Sequence, residues 1–207
     1  MLDGRLKRHL DPVLTRIGAR LAGWGMTANG VTYMAFGVGL VAALAIALGH
    51  TWWGLALLLT SRFGDGLDGA VARQRGSTDF GGLIDIVLDF AFYGIIPFAF
   101  ILLDPAANAI AGGLLLLSFY VNGASFLAYA IIAEKRGEMT EQRGAKSIYF
   151  TTGLAEATET YLAFAVFCLW PGGFPITATV FAVICFYTAA SRLVLACRTF
   201  GVSPSDR

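Results

Sequence analysis

The sequence predicts an all-α membrane protein, with six transmembrane helices behind an N-terminal amphipathic helix lying at the membrane surface. Three observations carry that expectation. Of the 207 residues, 57% are hydrophobic and 14% charged, whereas a soluble domain carries about 25% charged residues. The apolar stretches are long enough to cross a bilayer, which takes about 20 helical residues. The Lys and Arg residues gather in alternate connections, as they do in cytoplasmic loops.

Residues 1–24 place Leu2, Leu6, Leu10, Val13, Leu14, Ile17 and Leu21 at helical spacing, with Arg5, Lys7, Arg8, Arg16 and Arg20 on the polar side. That pattern suits an interfacial helix, and Pro12 is expected to break or kink it. This long charged stretch, without a small-residue cleavage pattern, reads as mature protein rather than as a signal peptide. Six apolar spans follow near 29–48, 51–73, 80–103, 107–133, 148–170 and 174–197. Turn signals separate them at Gly49-His50, Asp104-Pro105 and Pro171-Gly172-Gly173. The long polar connection is 134–147. Without an internal repeat or a low-complexity segment, residues 1–207 read as a single domain: an interfacial helix over 1–24 and a bundle over 29–197.

Basic residues mark the N-terminal helix, the 73–79 turn (Arg73, Arg75), the 134–147 loop (Lys135, Arg136, Arg143, Lys146) and the tail (Arg198, Arg207), while the other three connections contain none. Six spans then put both termini on the basic, cytoplasmic side. The net charge of +1 gives no indication of a nucleic-acid partner. Cys168, Cys185 and Cys197 form no CxxC pair and read as small apolar packing residues.

The chemistry lies in the pattern D-x2-D-G-x2-A-R-x7-G-x3-D-x3-D, running from Asp65, Asp68, Gly69, Ala72 and Arg73 to Gly81, Asp85 and Asp89. At about 100° per residue, Asp68, Gly69 and Ala72 fall about −60°, +40° and −20° from Asp65 on one helix. On the next, Gly81 and Asp89 fall about −40° and +40° from Asp85. Two adjacent antiparallel helices can thus aim four carboxylates into one site, with small residues leaving room beside them. A carboxylate at mid-membrane costs about 2.5–3.5 kcal/mol on insertion scales, less near the interface. The mutual repulsion of four needs an offset. One offset is ion pairing with Arg62, Arg73 and Arg75. The other is two divalent cations, for which hard oxygen ligands select Mg²⁺ or Mn²⁺. Two such ions suit a diphosphate and an in-line displacement at phosphorus.

This pattern resembles the signature of the CDP-alcohol phosphatidyltransferases, D-x2-D-G-x2-A-R-x8-G-x3-D-x3-D, with seven residues instead of eight between Arg73 and Gly81. Thr27-Ala28-Asn29 stands where the family has T-P-N. The resemblance implies transfer of a phosphatidyl group from a CDP-linked lipid such as CDP-diacylglycerol to an alcohol, with release of CMP, in phospholipid biosynthesis. It implies that Asp65, Asp68 and Asp85 ligate metal, and that Asp89 ligates or acts as base. It further implies that Asn29, Gly69, Ala72 and Gly81 surround the CDP moiety, that Arg73 touches a phosphate, and that the protein is a homodimer of the bacterial inner membrane. Spans three and four hold glycine and aromatic residues suited to that interface.

For the acceptor, the sequence offers Arg143, Lys146, Glu156, Glu159 and Arg192. Lys146 and Arg192 suit a phosphorylated acceptor, and Glu156 and Glu159, neighbours on one helix face, suit a cationic or polyol one. A structural Glu–Arg pair inside the bundle is an equal alternative. Gly153 to Thr160 resembles a stretch in a bacterial inner-membrane branch of the family. Asn122 and Ser125 either line the cavity or bond helix to helix. A membrane prenyltransferase would carry two D-x3-D-like motifs and more spans. A small transporter would place its ionisable residues at mid-membrane within an inverted repeat.

Overall fold

The computed structural model describes residues 2–136 and 157–201, with side chains from residue 11 onward. The described elements are helices: α1 Leu2–Gly23, α2 Ala28–Ala47, α3 Thr51–Arg75, α4 Asp79–Leu103, α5 Pro105–Lys135, α6 Ala157–Leu169 and α7 Phe174–Phe200, with a 3-10 turn at Pro171–Gly173 before α7. By length and composition, α2, α4, α5 and the 171–200 segment are apolar enough to cross a membrane. α3 falls short of that criterion because it carries Arg62, Asp65, Asp68, Arg73 and Arg75, and α6 is described for 13 residues.

The turns form where the sequence places them, and their chemistry is local. α2 ends in a Schellman motif. Gly49 at φ +85° donates its N–H to Ile46 O at 2.9 Å, and His50 donates to Ala45 O at 2.8 Å. Asp104 caps α5, its Oδ1 accepting from Ala107 N at 3.1 Å, and Pro105 occupies the first turn, where no N–H is needed. Pro12 does not break α1, which runs from Leu2 through it to Gly23. A proline's fixed φ is already helical, so what it forfeits is one backbone hydrogen bond and some carbonyl clearance. Beyond Pro12 the helix is held by tertiary packing. Leu14 is buried in a cluster with Val31, Leu67, Ala70 and Val71. Gly18 lets α1 approach α3 so closely that an added Cβ would lie 2.6 Å from that of Ala70.

The principal core joins α2, α3, α4, α5, α6 and α7 through Ile46, Leu58, Phe92, Ile96, Phe100, Leu115, Phe164, Phe167 and Phe174. Phe100 and Phe174 stack at 4.8 Å. Cys168 and Cys185 are buried in this core as free thiols. α2 packs closely on α3: Ser61 Oγ donates to Ala35 O at 2.7 Å, and Ala35 Cβ sits 3.0 Å from where Gly64 would carry one. Leu40, Val41, Leu44, Ile110, Val180 and Val183 face outward, an apolar exterior that suits lipid rather than water.

Candidate active site

α3 and α4 are joined by Gly76, Ser77 and Thr78 alone. Gly76 takes φ +97°, a conformation that favours glycine. Thr78 Oγ1 then caps α4 by accepting from Gly81 N at 3.0 Å. This tight return sets the last turns of α3 beside the first turns of α4. The start of α2 closes the third side, capped by Thr27 Oγ1, which accepts from Gly30 N at 3.1 Å. Arg75 pins the α1–α2 turn to the end of α3 by donating to Gly25 O at 2.9 Å and Met26 O at 3.2 Å. Between these elements opens a cleft of ≈ 530 Å³, lined among others by Asn29, Thr32, Asp68, Gly69, Ala72, Gly81 and Asp85. Its volume falls within the range of small-molecule and cofactor sites, about 300–1,000 Å³.

Asp65, Asp68 and Asp85 each present a carboxylate oxygen, all within 4.8 Å of one another. Asp68 is buried and oriented by Thr32, whose Oγ1 donates to its Oδ2 at 2.6 Å. Three hard anionic oxygens from two helices fit a divalent ion such as Mg²⁺ or Mn²⁺. Asp89, one turn beyond Asp85, stands apart from this trio. Its Oδ1 accepts from Arg62 Nη1 at 2.7 Å, and the same nitrogen lies 3.5 Å from Asp65 Oδ1. The Arg62 guanidinium is stacked 3.7 Å over the Phe92 ring, and its Nη2 donates to Ser61 Oγ at 3.2 Å. Nearby, the hydroxyls of Tyr93 and Tyr161 are 3.2 Å apart.

Asn29, Gly69, Ala72 and Gly81 thus share one cleft with Asp68 and Asp85. Arg73 lies outside its lining and reaches toward α1, where Nη2 donates to Asp11 Oδ1 at 3.5 Å, both side chains half-exposed. Of the arginines expected to pair with the aspartates, Arg62 does so and Arg75 serves backbone carbonyls instead. Arg192 bonds helix to helix: its Nη1 donates to Asn122 O and Oδ1 at 3.0 Å each and to Ser125 Oγ at 2.6 Å. Among the described residues it forms no ion pair with Glu159, one of whose carboxylate oxygens is buried without a hydrogen-bond partner. Arg143, Lys146 and Glu156 lie outside the described residues. Thr32 is a cleft residue that the sequence reading missed, and the Tyr93–Tyr161 pair beside Arg62 was missed as well. Thr32 was accessible, since it lies three residues from Asn29 on one helix face. The two tyrosines meet only through tertiary packing.

The CDP-alcohol phosphatidyltransferase profile matches residues 25–190. The Escherichia coli K12 inner membrane protein YnjF is 42% identical over 193 residues, covering 93% of this chain and 94% of that protein. Among solved structures, Mycobacterium tuberculosis phosphatidylinositol phosphate synthase with CDP-DAG bound superposes with a TM-score of 0.66 at 22% identity, covering 90% of this chain and 94% of that one. The same enzyme in complex with manganese and citrate gives a TM-score of 0.61 at 24% identity, covering 93% and 91%. At those identities the likeness is one of fold.

Proposed function

The chain belongs to the CDP-alcohol phosphatidyltransferase family, and from that premise we propose that it transfers a phosphatidyl group from CDP-diacylglycerol or a similar CDP-lipid to a small polar alcohol, releasing CMP. The family makes it a phosphotransferase enzyme. The observation that carries the finer reading is the convergence of Asp65, Asp68 and Asp85 within 4.8 Å beside a cleft walled by Asn29, Gly69, Ala72 and Gly81. The family match over residues 25–190 favours this chemistry over a transporter or a prenyltransferase.

Asp65, Asp68 and Asp85 are the residues to hold divalent metal, Mg²⁺ or Mn²⁺. Bound there, the metal supplies positive charge to a diphosphate and to the charge that develops on its leaving oxygen. Manganese in the Mycobacterium tuberculosis relative is consistent with this. The small residues Gly69, Ala72 and Gly81 admit the flat cytosine and its ribose, and Asn29 offers its amide to the nucleotide. Asp89 takes the proton of the acceptor hydroxyl. The acceptor oxygen then bonds to the lipid-side phosphorus, and the bond from that phosphorus to the CMP oxygen breaks. A carboxylate is a weak base for an alcohol, so positioning and fixed charge supply most of the rate.

In this reading the chain is a single domain of the inner membrane, with α3 and α6 belonging to the remaining two of six spans and α1 lying at the interface. Alternating spans put the ends of α1, α3, α5 and α7 at one face with Arg20, Arg73, Arg75, Lys135, Arg136 and Arg198, which favours the cytoplasm for that face and the cleft. The inner-membrane assignment of the 42% identical E. coli relative supports the compartment. A homodimer is part of the same proposal.

The test is CMP release from CDP-diacylglycerol by the purified protein in detergent, with Mn²⁺ or Mg²⁺ and a panel of acceptors. The panel sets phosphorylated polyols against free polyols and amino alcohols, and lipid products are read by mass. One new phospholipid is expected with one acceptor class. No CMP and no new lipid with any acceptor would remove the proposal.

A further inference from the structure

We propose that Arg62 stands in for a second metal ion: its guanidinium bridges Asp65 and Asp89, so that this chain works with one divalent ion, on Asp65, Asp68 and Asp85, and a fixed organic cation beside it. The inference rests on the metal reading above and departs from the two ions expected from the sequence.

The geometry gives the place between Asp65 and Asp89 to Arg62. Its Nη1 lies 2.7 Å from Asp89 Oδ1 and 3.5 Å from Asp65 Oδ1. A Mg²⁺-like ion shared by those carboxylates would need oxygens at about 2.0–2.1 Å, in space this nitrogen fills. Nor is the guanidinium a passing surface group. Its side chain is 7% exposed, it is stacked 3.7 Å over Phe92, and it donates to Ser61 Oγ. Its Nε is buried with no hydrogen-bond partner, so the two carboxylates, Ser61 and the ring face hold it. An arriving ion would have to expel a buried cation from an aromatic face, or sit beside it and meet like-charge repulsion.

Two consequences follow for the reaction. Arginine remains protonated at any working pH, so one positive charge beside the divalent ion is built into the fold and independent of metal supply. Asp89, with Oδ1 engaged by Arg62, is withdrawn from the ligand set and keeps Oδ2 for the acceptor's proton. Arg62 is thereby a positioning residue for the base.

The experiment is a Mn²⁺ titration of the purified protein in detergent with saturating CMP, followed by electron paramagnetic resonance of the free ion and by elemental analysis of the loaded protein. The wild type is expected to bind one Mn²⁺ per protomer, and Arg62→Met and Arg62→Gln two, because each frees the Asp65–Asp89 gap for an ion. Two ions in the wild type would overturn the inference and leave the metal reading intact. A single ion in both variants would also overturn it. No tightly bound ion in the wild type would instead remove the metal reading, and this inference with it. Should neither variant purify as a monodisperse species, the wild-type count decides alone.

Discussion

Gly81 at the start of α4 meets Asn29 at the start of α2 so closely that a Cβ at position 81 would lie 2.9 Å from Asn29 Oδ1. The same carbon would stand 3.0 Å from Thr78 Oγ1, so it must move the cleft-lining Asn29 amide or a helix cap. In Gly81→Ala the alanine is also a better helix former than glycine, so damage beyond the Thr78 cap should fall on binding. The KM for CDP-diacylglycerol is expected to rise about tenfold, a change of about 1.4 kcal/mol, with kcat altered less. Steady-state CMP release checks this, and an unchanged KM would show that the contact is only structural.

Thr32 donates to buried Asp68 at 2.6 Å and so fixes one carboxylate of the trio. Thr32→Val keeps the shape and removes the donor. Partners that orient a metal ligand are worth about 10–100-fold in metal affinity or activity, and a Mn²⁺ affinity lowered within that range is expected. Titration of the variant against the wild type, in detergent with CMP, is the measurement. Equal affinities would mean that helix packing alone orients Asp68.

Metal removal should be complete in effect and reversible. Asp65, Asp68 and Asp85 place anionic oxygens within 4.8 Å, and the like charges repel in the absence of a cation. Excess EDTA is expected to stop CMP release. Mg²⁺ or Mn²⁺ should restore it to the starting rate. Full activity in EDTA, with no metal found by elemental analysis, would contradict the assignment of the trio.

Among the described residues, the all-helical class, the turns and the cleft face of the motif were legible because each depends on near neighbours in sequence. The Gly49 turn, the Asp104 cap and the phase of Gly69 and Ala72 with Asp68 need nothing beyond a few residues of chain. What was not legible depends on contacts across the bundle. Pairing of the aspartates with Arg62 was one of two alternatives in the sequence, but which of them it bridges, Asp65 and Asp89, depends on α4 and on the Phe92 ring beneath the guanidinium. Arg73 follows the motif in sequence yet turns to Asp11 on α1, because the docking of α1 brings an acid to its side. Pro12 misled for a related reason: the packing of Leu14 and Gly18 on α3 holds a helix that local preference alone would interrupt.

Asp89→Asn separates the proposed base from its structural partnership. The variant keeps an oxygen to accept from Arg62 but removes the charge and the ability to take a proton. General-base catalysis contributes about 10²–10⁴-fold, so kcat is expected to fall by that much. Binding of CMP and Mn²⁺ should persist, since Asp89 lies outside the trio proposed to hold the ion. The variant also leaves a buried guanidinium with Asp65 as its remaining acidic neighbour, which should lower the melting temperature in detergent. The two effects are measured independently, by CMP release at saturating substrate and by thermal unfolding. If the melting temperature falls while kcat is kept, Asp89 is a counter-ion for Arg62 and the proton goes elsewhere. If kcat is lost while Mn²⁺ and CMP still bind, Asp89 accepts the proton.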